Sequence, residues 1–157
     1  MTLDALPSSF RDPSGFVFAE NDRVYRQINS GFAKHFDQFM SSGLYDVLVD
    51  KGYLVAHEDV TASNIQRGPD CYRVIAPEVI PYIAYPYEWS FSQLQDAAML
   101  TLRIQTVALQ HGYILKDASA YNVQFKDGKP VFIDTLSFEP YVEGAPWVAY
   151  RQFCQHF

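Results

Sequence analysis

Residues 90–110, SFSQLQDAAMLTLRIQTVALQ, constrain the fold more than any other stretch of the chain. Ser90 and Gln93 stand at capping-box spacing, in which a serine oxygen and a glutamine side chain satisfy each other's free backbone donors at a helix start. Gly112 is placed to end the helix. Between them, apolar residues cover much of the circumference and leave Asp96, Arg103 and Gln110 on a narrow polar stripe, the pattern of a central, largely buried helix. A chain of 157 residues, 48% of them hydrophobic, can supply that burial and form one compact domain with room for two lobes.

The segments before the helix read as a mixed α+β lobe. Residues 1–14 carry Pro7, Pro13 and several serines and read as an extended lead-in. GFVFAENDRVYRQI places two short alternating runs around Asn21-Asp22, a turn-forming pair, which predicts a β-hairpin. Phe32, Phe36 and Phe39 then recur at helical spacing up to Gly43, and a second helical piece runs from Leu44 to Asp50, ending near Gly52. CYRVIAPEVIPYIAYPYEW alternates β-branched and aromatic residues with three prolines, which predicts two short strands and an extended connector at residues 81–89. Glu78 and Glu88 beside that connector read as solvated. After the long helix, VQFKDGKPVFID predicts a hairpin folded about Asp127-Gly128. The tail GAPWVAYRQFCQHF sets Trp147, Tyr150, Phe153, Cys154 and Phe157 along one helical face, more aromatic surface than a free helix end usually exposes, so the chain reads as part of something longer.

Charge and cysteine usage exclude several function classes. A net charge of −6 with no local basic patch argues against binding nucleic acid or an anionic membrane surface. Cys71 and Cys154 lie in unrelated contexts without metal-ligand or disulfide spacing, and His35, His57, His111 and His156 share no metal-binding pattern and read as surface or packing residues. No apolar run reaches membrane-spanning length and no leader-type pattern opens the chain, so a cytoplasmic location is expected.

Chemistry concentrates in residues 115–139, LKDASAYNVQFKDGKPVFIDTLSFE. Asp117, Asn122 and Asp134 are three oxygen-bearing side chains on a loop and a folded ribbon. A magnesium ion takes hard oxygen ligands, and Asn122 with Asp134 can supply two; Asp117 on the loop can accept a proton from an attacking hydroxyl or orient it. A two-residue turn at Asp127-Gly128 pairs Asn122 with Ile133 and leaves Asp134 one step past direct opposition. The same residues also have local readings. Asp-x-Ser sequences bond their own backbone readily, Asn122 can satisfy loop amides or carbonyls, and Asp134 can cap the segment after it.

Asp117-Ala118-Ser119-Ala120-Tyr121-Asn122 followed by Val131-Phe132-Ile133-Asp134 resembles the catalytic loop and metal-binding strand end of the protein-kinase-like superfamily, which includes the aminoglycoside and choline phosphotransferases. The resemblance implies a protein-kinase-like α+β fold. Its parts are a small β-containing lobe over 15–87, then the central helix, the catalytic-type loop and the hairpin over 88–157, with the rest of the carboxyl-terminal lobe truncated. It further implies ATP and Mg as cofactors, Asp117 as the catalytic aspartate, Asn122 and Asp134 as metal ligands, and Arg26 or Lys116 touching phosphate, for transfer to a small-molecule hydroxyl. Leu115-Lys116 stands where the family has His-Arg or His-Gly. Arg26, in VYRQI, stands in the place of the ATP-gripping lysine; its acidic helix partner would be Asp37 or Asp46. The first hairpin lacks a Gly-x-Gly cluster.

LKDASAYNVQF, VFIDTLSFEPY and PWVAYRQFCQHF are also similar, over the whole chain, to the opening region of larger bacterial proteins, nodulation-type ones among them, whose later portion is a class I S-adenosylmethionine-dependent methyltransferase. No glycine-rich strand-to-helix turn of the kind that cradles that cofactor occurs here. This resemblance implies an amino-terminal accessory module, with S-adenosylmethionine bound only by a covalently linked domain outside the chain.

Overall fold

A computed structural model describes residues 12–21, 23–65 and 67–157. Residues 1–11 of the expected lead-in and Asp22 of the first expected turn lie outside the described residues. The protein is a mixed α+β chain with antiparallel sheets; among the described residues there are four α-helices. It divides into two compact units, one formed by the described part of Met1–Gln38 with Ala56–Val79, the other by Phe39–Val55 with Ile80–Phe157.

The first unit is built on a four-stranded sheet in the order β1-β2-β4-β3. Strands β1 (Gly15–Glu20) and β2 (Arg23–Asn29) form the hairpin expected around Asn21, with Glu20 opposite Arg23 and Gly15 opposite Ile28. Asn21 takes φ +51°, a left-handed conformation that asparagine tolerates. On one face Phe18, Tyr25, Val74 and Ala76 form a buried cluster. Strand β4 (Cys71–Pro77) pairs with both β2 and the short β3 (His57–Asp59). Here the sequence expectation is corrected. Only the CYRVIAP half of the run that predicted two strands forms one, because Pro81 and Pro86 remove ladder donors from the rest. Strand β3, a half-buried His57 followed by exposed Glu58 and Asp59, has none of the alternation that marks a strand.

Helix α1 (Ala33–Ser41) continues from a 3-10 turn at Ser30–Phe32, and α2 (Leu44–Asp50) follows after Gly43, whose φ of +77° explains the glycine there. In the second unit, α3 (Phe91–Gln110) starts at the capping box: Oγ of Ser90 accepts the Gln93 N–H at 3.3 Å, and Oε1 of Gln93 accepts the Ser90 N–H at 2.9 Å. Its inner face, including Ala97, Leu100, Ile104 and Ala108, packs into a core with Leu48, Leu115 and Phe132. Fully burying a leucine, isoleucine or phenylalanine side chain contributes about 1.5–3 kcal/mol. The helix is less buried than its sequence suggests. Met99, Leu102 and Leu109 remain exposed on its outer side.

Strand β5 (Tyr113–Leu115) pairs with β8 (Phe138–Pro140), and β6 (Val123–Lys126) with β7 (Lys129–Phe132), in antiparallel registers. Asp127 (φ +50°) and Gly128 (φ +74°) make the two-residue turn of the second hairpin, as expected. The backbone of residues 53–55 lies along the outer edge of β7, with Phe132 N–H donating to Tyr53 O at 2.8 Å and Val55 N–H to Phe132 O at 2.9 Å. Helix α4 (Tyr150–His156) starts after Trp147, which the tail pattern set on its helical face.

Candidate functional site

The register of the β6–β7 hairpin sets Asn122 and Asp134 near one another in the second unit. Lys126 faces Lys129 and Val123 faces Phe132. The ladder extends one step further, with Ile133 N–H donating to Asn122 O at 2.8 Å. Asp134 is therefore one residue beyond direct opposition to Asn122, and no bulge realigns them.

Ser137 closes that gap. Its hydroxyl donates to Oδ2 of Asp134 at 2.5 Å and accepts from Nδ2 of Asn122 at 3.4 Å. Oδ1 of Asp134 accepts the Leu136 N–H at 3.1 Å. Ser137 is buried, whereas Asn122 and Asp134 are half-buried. A magnesium ion would need oxygens at the point of convergence. As arranged, Asn122 presents its N–H there, a serine hydroxyl occupies the space between, and each Asp134 oxygen accepts a hydrogen bond. Among the described residues, no three histidine, cysteine, aspartate or glutamate side chains are grouped to hold a metal.

The loop before Asn122 is held by side chains from its own sequence and from α4. Oδ1 of Asp117 accepts the Ser119 N–H at 2.9 Å, the local turn-capping bond open to an Asp-x-Ser sequence. Oγ of Ser119 accepts the Tyr121 N–H at 3.2 Å, and Ser119 O accepts the Asn122 N–H at 3.0 Å. From α4, Oε1 of Gln152 accepts the Ala118 N–H at 2.7 Å and Nδ1 of His156 accepts the Ala120 N–H at 3.0 Å. With Nδ1 an acceptor, the imidazole proton sits on Nε2 and the Ser119 hydroxyl, 3.2 Å away, donates to the ring. Nε1 of Trp147 donates to Leu115 O at 2.8 Å. Five successive amides, from 118 to 122, are thus occupied within the second unit.

Lys116 is half-buried, with its backbone N–H on Ser137 O at 2.8 Å. Arg26 belongs to the first unit, on β2 between Val17 of β1 and Ile75 of β4, and is half-buried. Of the two acidic residues considered as its partner, Asp37 instead accepts from the Tyr72 hydroxyl at 2.6 Å and faces Arg73 at 4.0 Å; Asp46 lies exposed in the first turn of α2, in the second unit. Glu88, expected to be solvated, is exposed and also accepts the Tyr85 N–H at 2.7 Å.

The sequence reading missed Ser137, Gln152 and His156. The first had a local signal, a hydroxyl three positions after an aspartate that caps its own turn. Gln152 and His156 share a helix face at i, i+4 spacing, but their partners lie 34 and 36 residues away, where no periodicity reaches.

Titratable groups of the first unit gather where β3 meets β4. Burial pushes the His57 pKa down to about 4, against the opposing pull of the Asp59 charge. Burial also works to raise Asp59, but hydrogen bonds from Thr61 and Arg73 outweigh it and hold that carboxyl below its usual range. Arg73 reaches Asp59 at 2.7 Å and Arg23 reaches Glu58 at 3.1 Å.

No protein-family model matches the chain. Its sequence is 43% identical over 150 residues to nodulation protein NoeA of Rhizobium meliloti (strain 1021), a match covering 95% of this chain and 31% of the relative. The chain thus spans about a third of the length of the curated relative it matches. No helix among the described residues is long and apolar enough to cross a membrane.

Proposed function

We propose that this chain is a non-catalytic accessory module of a larger polypeptide, at its amino-terminal side, whose chemistry is carried by a covalently linked domain. The match to NoeA carries this reading: similarity runs along nearly the whole chain yet occupies only 31% of the relative. The loop geometry supports it. A phosphate-binding loop offers free backbone N–H groups to its ligand, whereas amides 118 to 122 already donate to side chains or backbone within the second unit. The resemblance described above suggests a class I S-adenosylmethionine-dependent methyltransferase as the linked domain, with that cofactor bound outside these residues.

A second reading keeps the kinase-like architecture active. The Ser137 bridge favours it, since it brings Asn122 and Asp134 to one hydroxyl. The order of elements does too: a small antiparallel sheet, a long helix, the Asp117 loop, then a hairpin ending at Asp134. In this reading a turn of the Asn122 amide and release of Ser137 let both residues offer oxygens to Mg. Asp117, whose Oδ2 accepts no hydrogen bond among the described residues, would orient an acceptor hydroxyl, and Arg26 or Lys116 would meet the phosphates of ATP. A thermal-shift titration separates the two. The accessory module shows the same unfolding temperature with and without ATP and MgCl2, whereas a saturable, Mg-dependent rise that Asp134→Ala abolishes establishes the second reading.

A further inference from the structure

The outer side of α3 carries a row of exposed apolar residues. Met99, Leu102, Thr106 and Leu109 follow one another at i, i+3, i+7 and i+10, which sets them in a strip along the helix. Met99 is 44% exposed, Leu102 38% and Leu109 45%. Beside the strip runs a groove of about 290 Å³ between α3 and the chain following α2, with Tyr53, Val107, Met99 and Leu102 contributing apolar surface and Lys51 and Arg103 contributing charge. Both cations are exposed, and among the described residues neither pairs with a carboxylate. Two unpaired cations at an apolar groove run against the net charge of −6 of the chain.

We propose that this groove docks an amphipathic helix carrying acidic residues beside its apolar stripe, supplied by the rest of the polypeptide; the inference rests on the accessory-module reading. The α3 side of the groove is helical backbone with its hydrogen bonds closed, so it offers no free strand edge and holds an occupant only by side-chain interdigitation, ridge into groove. Met99, at one end of the lining, adapts to an irregular apolar surface. Lys51 and Arg103 select the sign of charge on the occupant and set its orientation, a contribution to specificity and encounter more than to affinity.

The test uses the 157-residue chain and a synthetic amphipathic helix of about four turns, with leucines at i, i+3, i+4 and i+7 and glutamates flanking them. Its control carries lysines in place of the glutamates. Fluorescence anisotropy is expected to show saturable binding of the glutamate peptide and preference over the lysine peptide by about fivefold or more, falling as salt is raised. Leu102→Asp, at an exposed position, should weaken binding about tenfold, and the Lys51→Glu, Arg103→Glu pair should reverse the peptide preference. Equal binding of both peptides, no binding, or indifference to Leu102→Asp overturns the proposal. So does sedimentation showing that a second copy fills the groove, as a dimer dispersed by Leu102→Asp. A silent ATP titration with no peptide binding removes the groove and leaves the accessory reading standing, whereas an Mg-dependent ATP response alongside peptide binding removes the accessory reading and leaves the chemistry of the groove.

Discussion

The Ser137 hydroxyl donates to the Asp134 carboxylate at 2.5 Å, and so turns an out-of-register pair of residues into a connected one. Because its hydrogen points at Asp134, its lone pairs are free to accept Asn122, and the three side chains form a directed relay from amide to hydroxyl to carboxylate. Such a relay gives the buried Ser137 hydroxyl a partner on each side.

Removing the middle of the relay takes a donor from Asp134 and an acceptor from Asn122. Ser137→Ala should lower stability by about 1–3 kcal/mol, since Oδ2 of Asp134 loses its donor in a half-buried setting. Urea denaturation followed by tryptophan fluorescence measures it. A change smaller than a few tenths of a kcal/mol would mean that water replaces the hydroxyl at no cost.

The grip of α4 on the Asp117 loop is expected to show in hydrogen exchange. Gln152→Leu and His156→Leu remove the acceptors of Ala118 and Ala120. Each should speed exchange of its own partner amide by about tenfold, the kinetic equivalent of one hydrogen bond of about 1.4 kcal/mol, with β6 and β7 amides unchanged. Uniform acceleration across the second unit would show instead that the helix supports the core as a whole.

His57 gives a pH dependence with a definite sign. Its pKa falls from 6.5 to about 4 on folding, so between those values the unfolded chain binds the extra proton. Stability attributable to His57 is fully present above pH 6.5, declines as the pH drops toward 4 and is flat below it. The loss is on the order of 3 kcal/mol. His57→Leu should flatten that segment of the stability profile measured by denaturant titration at fixed pH steps; a profile equally steep in the variant would assign the acid sensitivity to the carboxylates.

Features set by neighbouring residues were legible in the sequence, and those set by distant ones were not. The Ser90/Gln93 cap, the Asp127-Gly128 turn and the resulting Asn122–Ile133 register follow from chemistry within a few positions, where only certain side chains tolerate a positive φ or reach a free amide. Strand β3 and the β5–β8 pair escaped because each strand is three residues long, too short for period-two alternation to register. In α3 the pattern correctly signalled an apolar circumference, but periodicity cannot say whether the covering surface lies in the same stretch of chain. Met99, Leu102 and Leu109 stay exposed on that circumference. Asn122 and Asp134 were legible as near neighbours from the hairpin register, whereas Ser137 between them and the loop-amide acceptors Gln152 and His156, both far along the chain, were not.

The most direct measurement is a magnesium titration, with ATP present, followed by the side-chain amide resonance of Asn122 and the backbone amide of Leu136, which report the two ends of the Ser137 relay. If the relay is closed on itself, neither resonance moves beyond what sodium chloride of matched ionic strength produces. A saturable shift of both, lost in Asp134→Ala, would contradict the accessory reading and assign these oxygens to a metal.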